Sequence, residues 1–161
     1  MDWMFHSPSR GMMTLQEVAE DILSQVSSFP KDEFRLMVGT DSQPKPGTRS
    51  VTFVTAVIVH HVGKGARYYI HREHQQHMYS LRQRMFTEAS YSLQAGGMLS
   101  EYLNQRGAHW GWEVHLDIGQ KGATRKLVRE IVSWITQSGY EARIKPDSFG
   151  ASKVADRYTK H

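Results

Sequence analysis

Apolar residues recur along this chain with two different periods, and the switches between them mark its elements. Residues 51–59, Val-Thr-Phe-Val-Thr-Ala-Val-Ile-Val, are dense in β-branched side chains and predict a strand. The mostly apolar run 34–41 predicts a strand before it, and 66–71 a strand after it, reached through the tight turn Gly63-Lys64-Gly65. Residues 43–48, rich in Pro and Gly, form the other link. Three strands with short links predict an antiparallel meander.

Helical spacing appears around this meander. Thr14 and Glu17 have the spacing of a capping box and open a short helix with Leu15, Val18, Ile22, Leu23 and Val26 apolar. Residues 27–30 close it, and residues 1–10 read as a loose lead-in. Ser80 caps a long helix that runs to about Arg106, with Gly107 as a stop and Gly96-Gly97 as a place to bend. A fourth strand follows over 110–117. Residues 124–138 predict a helix whose Leu127, Val128, Ile131, Trp134 and Ile135 form one stripe. Residues 140–145 alternate as a fifth strand, and Ser148 starts a terminal helix with Ala151, Val154, Ala155 and Tyr158 inward.

The predicted order is β-β-β-α-β-α-β-α with one helix in front, an α/β fold. Strand–helix–strand links make parallel neighbours through right-handed crossovers. Strands one, four and five therefore run parallel, with strand two antiparallel beside strand one. Residues 1–33 form an N-terminal extension carrying one helix, and 34–161 form the domain. Strand three is left as a sheet edge, open to pairing with another copy of the chain and so to a homo-oligomer.

Composition removes several classes of function. The 161 residues include no cysteine, which excludes disulfides, Cys-based zinc and iron–sulfur sites and a cysteine nucleophile. The run 51–59 is too short to span a bilayer, and residues 1–10 lack a signal-peptide apolar core, so a cytoplasmic protein with no membrane partner is expected. The net charge of +4 is unevenly placed. Residues 119–161 hold nine Lys/Arg against four Asp/Glu, and the rest of the chain carries −1. That points to a phosphate-bearing partner, with a solvated basic surface as the plain alternative.

The acids carry the candidate chemistry. Asp41 ends strand one and Asp117 ends strand four. In adjacent parallel strands about 4.8 Å apart, their carboxylates share the crevice where open α/β sheets bind ligands. Glu88 lies in the apolar stripe of the long helix with Leu81, Met85, Ala95 and Leu99, and so faces the sheet. Three converging acids repel one another unless a cation sits among them, and oxygen ligands favour Mg²⁺ or Mn²⁺ over zinc. Each acid also has a plainer reading: Asp41 and Asp117 as turn caps, Glu88 as the partner of Arg84 at i−4. The fourth acid is either Asp147, just after strand five, or Asp156, in the last helix.

This pattern resembles the ribonuclease H-like superfamily of nucleases and polynucleotidyl transferases. The resemblance covers residues 34–161 and implies a five-stranded mixed sheet of order 3-2-1-4-5 flanked by helices. It implies site acids from the end of strand one, the first core helix, the end of strand four and the terminal helix, which Asp41, Glu88, Asp117 and Asp156 match in order. Three stretches are similar to the YkuK-type group of bacterial ribonuclease H-like proteins: 38–43 (Val-Gly-Thr-Asp-Ser-Gln), 117–122 (Asp-Ile-Gly-Gln-Lys-Gly) and 145–158, which opens Lys-Pro-Asp-Ser-Phe-Gly. The chain lacks a basic, Trp-rich handle and a histidine within 145–150, and both departures weigh against cleavage of RNA–DNA hybrids in particular.

The resemblance implies a nuclease with two Mg²⁺ or Mn²⁺ ions roughly 4 Å apart, bridged by Asp41 and completed by Glu88, Asp117 and Asp156 or Asp147. Lys121, Arg125 and Lys126, at or near a helix N-terminus, are placed to hold a flanking phosphate, and Lys145 and Lys153 are further candidates. The alternative is a non-catalytic module that binds nucleic acid or another partner on the same fold. A dense histidine cluster, His71, His74 and His77 with His60-His61 beside it, fits no zinc spacing. It is left to contact a nucleic-acid backbone or to stand exposed.

Overall fold

A computed structural model of the chain describes residues 3–117, 124–144 and 151–159, without the side chains of 151–153 and 156. Eleven elements follow one another: β1 (Met4–Ser7), β2 (Gly11–Thr14), α1 (Leu15–Ser28), β3 (Phe34–Pro44), β4 (Val51–His61), β5 (Gly65–Gln75), α2 (Leu81–Gln105), β6 (Trp112–His115), α3 (Arg125–Gln137), β7 (Glu141–Arg143) and α4 (Ala151–Thr159). The strands form one sheet of order β2-β1-β5-β4-β3-β6-β7. Its last five members reproduce the expected order 3-2-1-4-5. β3 pairs antiparallel with β4 and parallel with β6, and β6 pairs parallel with β7.

The N-terminus departs from expectation. Residues 3–10 do not form a loose lead-in: β1 and β2 make a hairpin, and β1 lies along β5 with His6 opposite Ile70. The third core strand is therefore not a sheet edge, and β2 takes that place. Two residues hold the hairpin down. Trp3 and Phe5 are buried in the main core, an apolar gain that a flexible segment would forgo. The capping box forms as predicted, with Glu17 N donating to Thr14 Oγ1 at 3.1 Å and Thr14 N to Glu17 Oε1 at 3.0 Å.

Strand alternation divides the core in two. Leu36, Val38, Val57, Val59 and Tyr69 face the layer of α1, α2 and α3. Met37, Val54, Ala56, Ile58 and Ile70 face α4, whose Val154 and Ala155 are buried against them. Beneath α1, Asp21 is buried and accepts hydrogen bonds from Arg67 at 3.0 and 3.1 Å and from Arg10 and Tyr69. Burial pushes this carboxyl up, but the donors outweigh it and hold it below the ordinary range.

Helix α2 runs unbroken for 25 residues. Gly96 and Gly97 do not divide it. A Cβ at Gly96 would stand 3.4 Å from Tyr140 Cε1 and 3.6 Å from Val38, ordinary contact distances at the junction of helix and sheet. Among the described residues no helix is long and apolar enough to cross a membrane.

Candidate active site

Helix α2 and strand β3 meet in matching steps. Ser42 donates to Glu88, Thr40 Oγ1 lies 2.8 Å from Ser92 Oγ, and Val38 faces Gly96. Two strand residues advance about 6.6 Å and four helix residues about 6 Å, so every second residue of one meets every fourth of the other. Glu88, Ser92 and Gly96 thus form one inward line on α2. Thr40 Oγ1 also lies 3.0 Å from Thr55 Oγ1 of β4, which completes a buried trio of hydroxyls under the site.

Asp41, between Thr40 and Ser42, points to the opposite face. Its Oδ2 accepts from Thr159 Oγ1 of α4 at 3.0 Å, across 118 residues of sequence. The acids therefore approach the end of β3 from both sides of the sheet. The parallel pairing of β3 and β6 ends at Gly39 opposite His115; two residues on stand Asp41, still within β3, and Asp117, just past the end of β6 rather than on it. Expected neighbours in the crevice, these two carboxylates are brought to the same strand ends.

Glu88 registers the convergence. Its carboxyl is crowded by protein while retaining partial contact with solvent, and its pKa is pushed up to about 8. Burial is the main cause, and the charges of Asp41 and Asp117 add to it. The Ser42 hydroxyl and the nearby Arg84 act the other way without prevailing. Arg84 reaches the same serine, donating to Ser42 Oγ at 3.2 and 3.3 Å and to its carbonyl oxygen at 3.4 Å. The i−4 partner thus meets Glu88 through Ser42, on the inward side of the helix.

Among the described residues, no three acidic or imidazole side chains stand close enough to hold a metal ion as they are. The donor chemistry nonetheless suits a hard divalent cation: three oxygen acids, one driven toward its protonated form partly by the charges of the other two. Of the remaining expected residues, Asp147, Lys121 and Lys145 lie outside the described residues. Asp156 and Lys153 lie on α4 with undescribed side chains, and position 156 stands one turn before Thr159. Arg125 and Lys126 are exposed in the first turn of α3.

Sequence reasoning passed over Ser42 and Thr159, and it named Arg84 only as a surface partner of Glu88. Alternation around Asp41 carried the signal for Ser42, since its neighbour on the strand must face α2. It also passed over Glu113, buried on β6 beneath the site. Arg35 grips this carboxylate with Nε at 2.8 Å and Nη2 at 2.5 Å, and His115 Nε2 lies 3.1 Å away. Burial pushes Glu113 up, but these donors bring it below the usual range, while burial pushes His115 down.

The family comparison agrees with this geometry. A family model for ribonuclease H-like proteins matches residues 17–160. The chain is 37% identical over 172 aligned positions to the protein YkuK of Bacillus subtilis (strain 168), described as uncharacterised, with 98% of each chain covered. No solved structure matches it. Family match, sheet order and whole-length similarity agree, and the chain belongs to the ribonuclease H-like family, in the group of YkuK.

Proposed function

We propose that this protein is a metal-dependent nuclease that hydrolyses phosphodiester bonds of RNA or DNA in the cytoplasm. One observation carries the reading: Glu88 stands with Asp41 and Asp117 near enough that burial first and their charges second raise it to about 8, and a divalent cation would relieve both. Asp41, Glu88 and Asp117 would hold Mg²⁺ or Mn²⁺, with Asp156 or Asp147 completing a two-ion site. Bound there, the metal supplies a water of lowered pKa and stabilises charge on the leaving oxygen.

The chain's own groups prepare the site. Ser42 orients the Glu88 carboxylate, and Arg84 tempers the repulsion around it. Thr159 fixes Asp41 from the α4 side. Arg125 and Lys126, with Lys121, Lys145 and Lys153 as further candidates, offer positive charge to flanking phosphates.

The test is cleavage of single-stranded, duplex, hybrid and branched substrates with Mg²⁺ or Mn²⁺, by the wild type and by Asp41→Asn. Metal-dependent cleavage reduced at least about 100-fold in Asp41→Asn is expected, since metal contacts stabilise the transition state by several kcal/mol. No cleavage of any substrate would overturn the reading. Nucleic-acid binding that persists in EDTA without cleavage would identify a non-catalytic module on the same fold.

A further inference from the structure

We propose that the open sheet end beside the acids is a platform for an unpaired strand of nucleic acid, with Tyr79 as a base-stacking surface and Arg49 and Arg72 as phosphate contacts. The proposal deepens the nuclease reading, on which it rests for the chemistry, by naming the form in which the nucleic acid is held.

The histidine cluster shows how the platform is built. Strand alternation along β5 splits it between two faces. His71 turns inward, its ring stacked 4.1 Å from that of Trp3 and its Nδ1 2.8 Å from the Met4 carbonyl oxygen, and it belongs to the core. Arg72 and His74 turn outward on the α4 face and are exposed. Asp41 lies opposite Val54, and Val54 opposite Arg72, so acid and guanidinium share one row across three strands. Their backbones are roughly 10 Å apart. His74 stands two residues nearer the sheet end, its Nδ1 2.9 Å from Thr52 Oγ1.

Among the described residues no carboxylate engages Arg72. Arg10, Arg35 and Arg67 each bind a buried acid, whereas among the described residues Arg72 makes no ion pair and lies 5.9 Å over the Tyr158 ring. The same arrangement recurs just past the ends of β4 and β5. Arg49 lies 4.4 Å over the Tyr79 ring, and Met78 N donates to the Arg49 carbonyl at 3.1 Å, which joins the two loops. Tyr79 remains 60% exposed. An exposed tyrosine ring beside Arg49, with the His77 ring 6.3 Å away, suits an unstacked base and its phosphate, and a paired base cannot offer its face in this way. The location has an electrostatic reason too. Three acids repel a polyanion, so positive groups must hold the strand at this end of the sheet.

The test is fluorescence anisotropy in EDTA with labelled single strands of about 20 nucleotides, RNA and DNA, and the corresponding duplexes, using the full chain. Single strands are expected to bind at least tenfold more tightly than duplexes. Tyr79→Ala is expected to weaken single-strand binding roughly 5- to 100-fold, while Tyr79→Phe stays near wild type. Arg72→Gln is expected to lower the slope of log affinity against log salt by about 0.7. Melting temperatures close to wild type exclude misfolding of these surface variants. Equal binding by Tyr79→Ala and wild type, preference for duplex, or no binding would each overturn the platform. Cleavage measured in parallel with Mg²⁺ separates the two claims. Cleavage with unchanged Tyr79→Ala binding overturns the platform alone, and Tyr79-dependent binding without cleavage supports the platform and overturns the nuclease reading.

Discussion

Ser42 and Glu88, 46 residues apart in sequence, are joined by a hydrogen bond that fixes the last residues of β3 to the first third of α2. The serine hydroxyl donates to the carboxylate and receives the Arg84 guanidinium, so one small side chain orders both charged neighbours. Groups that orient metal-binding carboxylates typically matter 10- to 100-fold in affinity or activity. Ser42→Ala is therefore expected to lower metal-dependent cleavage by about tenfold or more, and Ser42→Thr, which keeps the hydroxyl, to lose less. Mg²⁺ titrations of cleavage rate check both.

The raised pKa of Glu88 ties stability to pH. Between the ordinary carboxyl range and about 8, the folded chain keeps a proton that the unfolded chain releases. The stability linked to that proton is present at low pH and is lost as pH rises through about 8. Thermal melts in EDTA are expected to show this decline and Glu88→Gln to flatten it. Mg²⁺ is expected to raise the melting temperature more at pH 9 than at pH 6, because a cation takes over the role of the proton.

The N-terminal hairpin is part of the core by its packing. Phe5 is fully buried, while Met12 on the neighbouring strand is 63% exposed. Phe5→Ala is expected to cost about 3–5 kcal/mol. Met12→Ala is expected to stay within about 0.5 kcal/mol. Urea unfolding midpoints distinguish them.

Gly96 faces Tyr140 and Val38 where α2 meets the sheet. Alanine there would make ordinary contacts with Tyr140 and Val38 and improve helix propensity by up to about 1 kcal/mol, so Gly96→Ala is expected to be neutral or stabilising. Gly96→Leu has no room beyond the Cβ and is expected to cost about 1–3 kcal/mol. Chemical denaturation of the two variants reads the difference in sign.

Much of the core was legible because each element carries a local period. The stripe of Val128, Ile131 and Ile135 on α3 and the β-branched run of β4 state their own geometry, and the order of elements then restricts the topology. The hairpin β1–β2 was not legible. Four-residue strands are too short to show alternation, and Trp3 and Phe5 reveal their purpose only once β5 lies beside them. The histidine cluster was equally ambiguous: adjacent letters in the sequence belong to opposite faces of β5 and to different environments.

The sequence by itself determined the family and the five-strand core order and nominated the acids at positions 41, 88 and 117 as candidates, because strand and helix periods follow from local spacing. Only the tertiary structure decided which groups surround those acids. Ser42 and Thr159 reach them across contacts set by the packing distance and register of β3 with α2 and α4, and no local period encodes a distance between two elements.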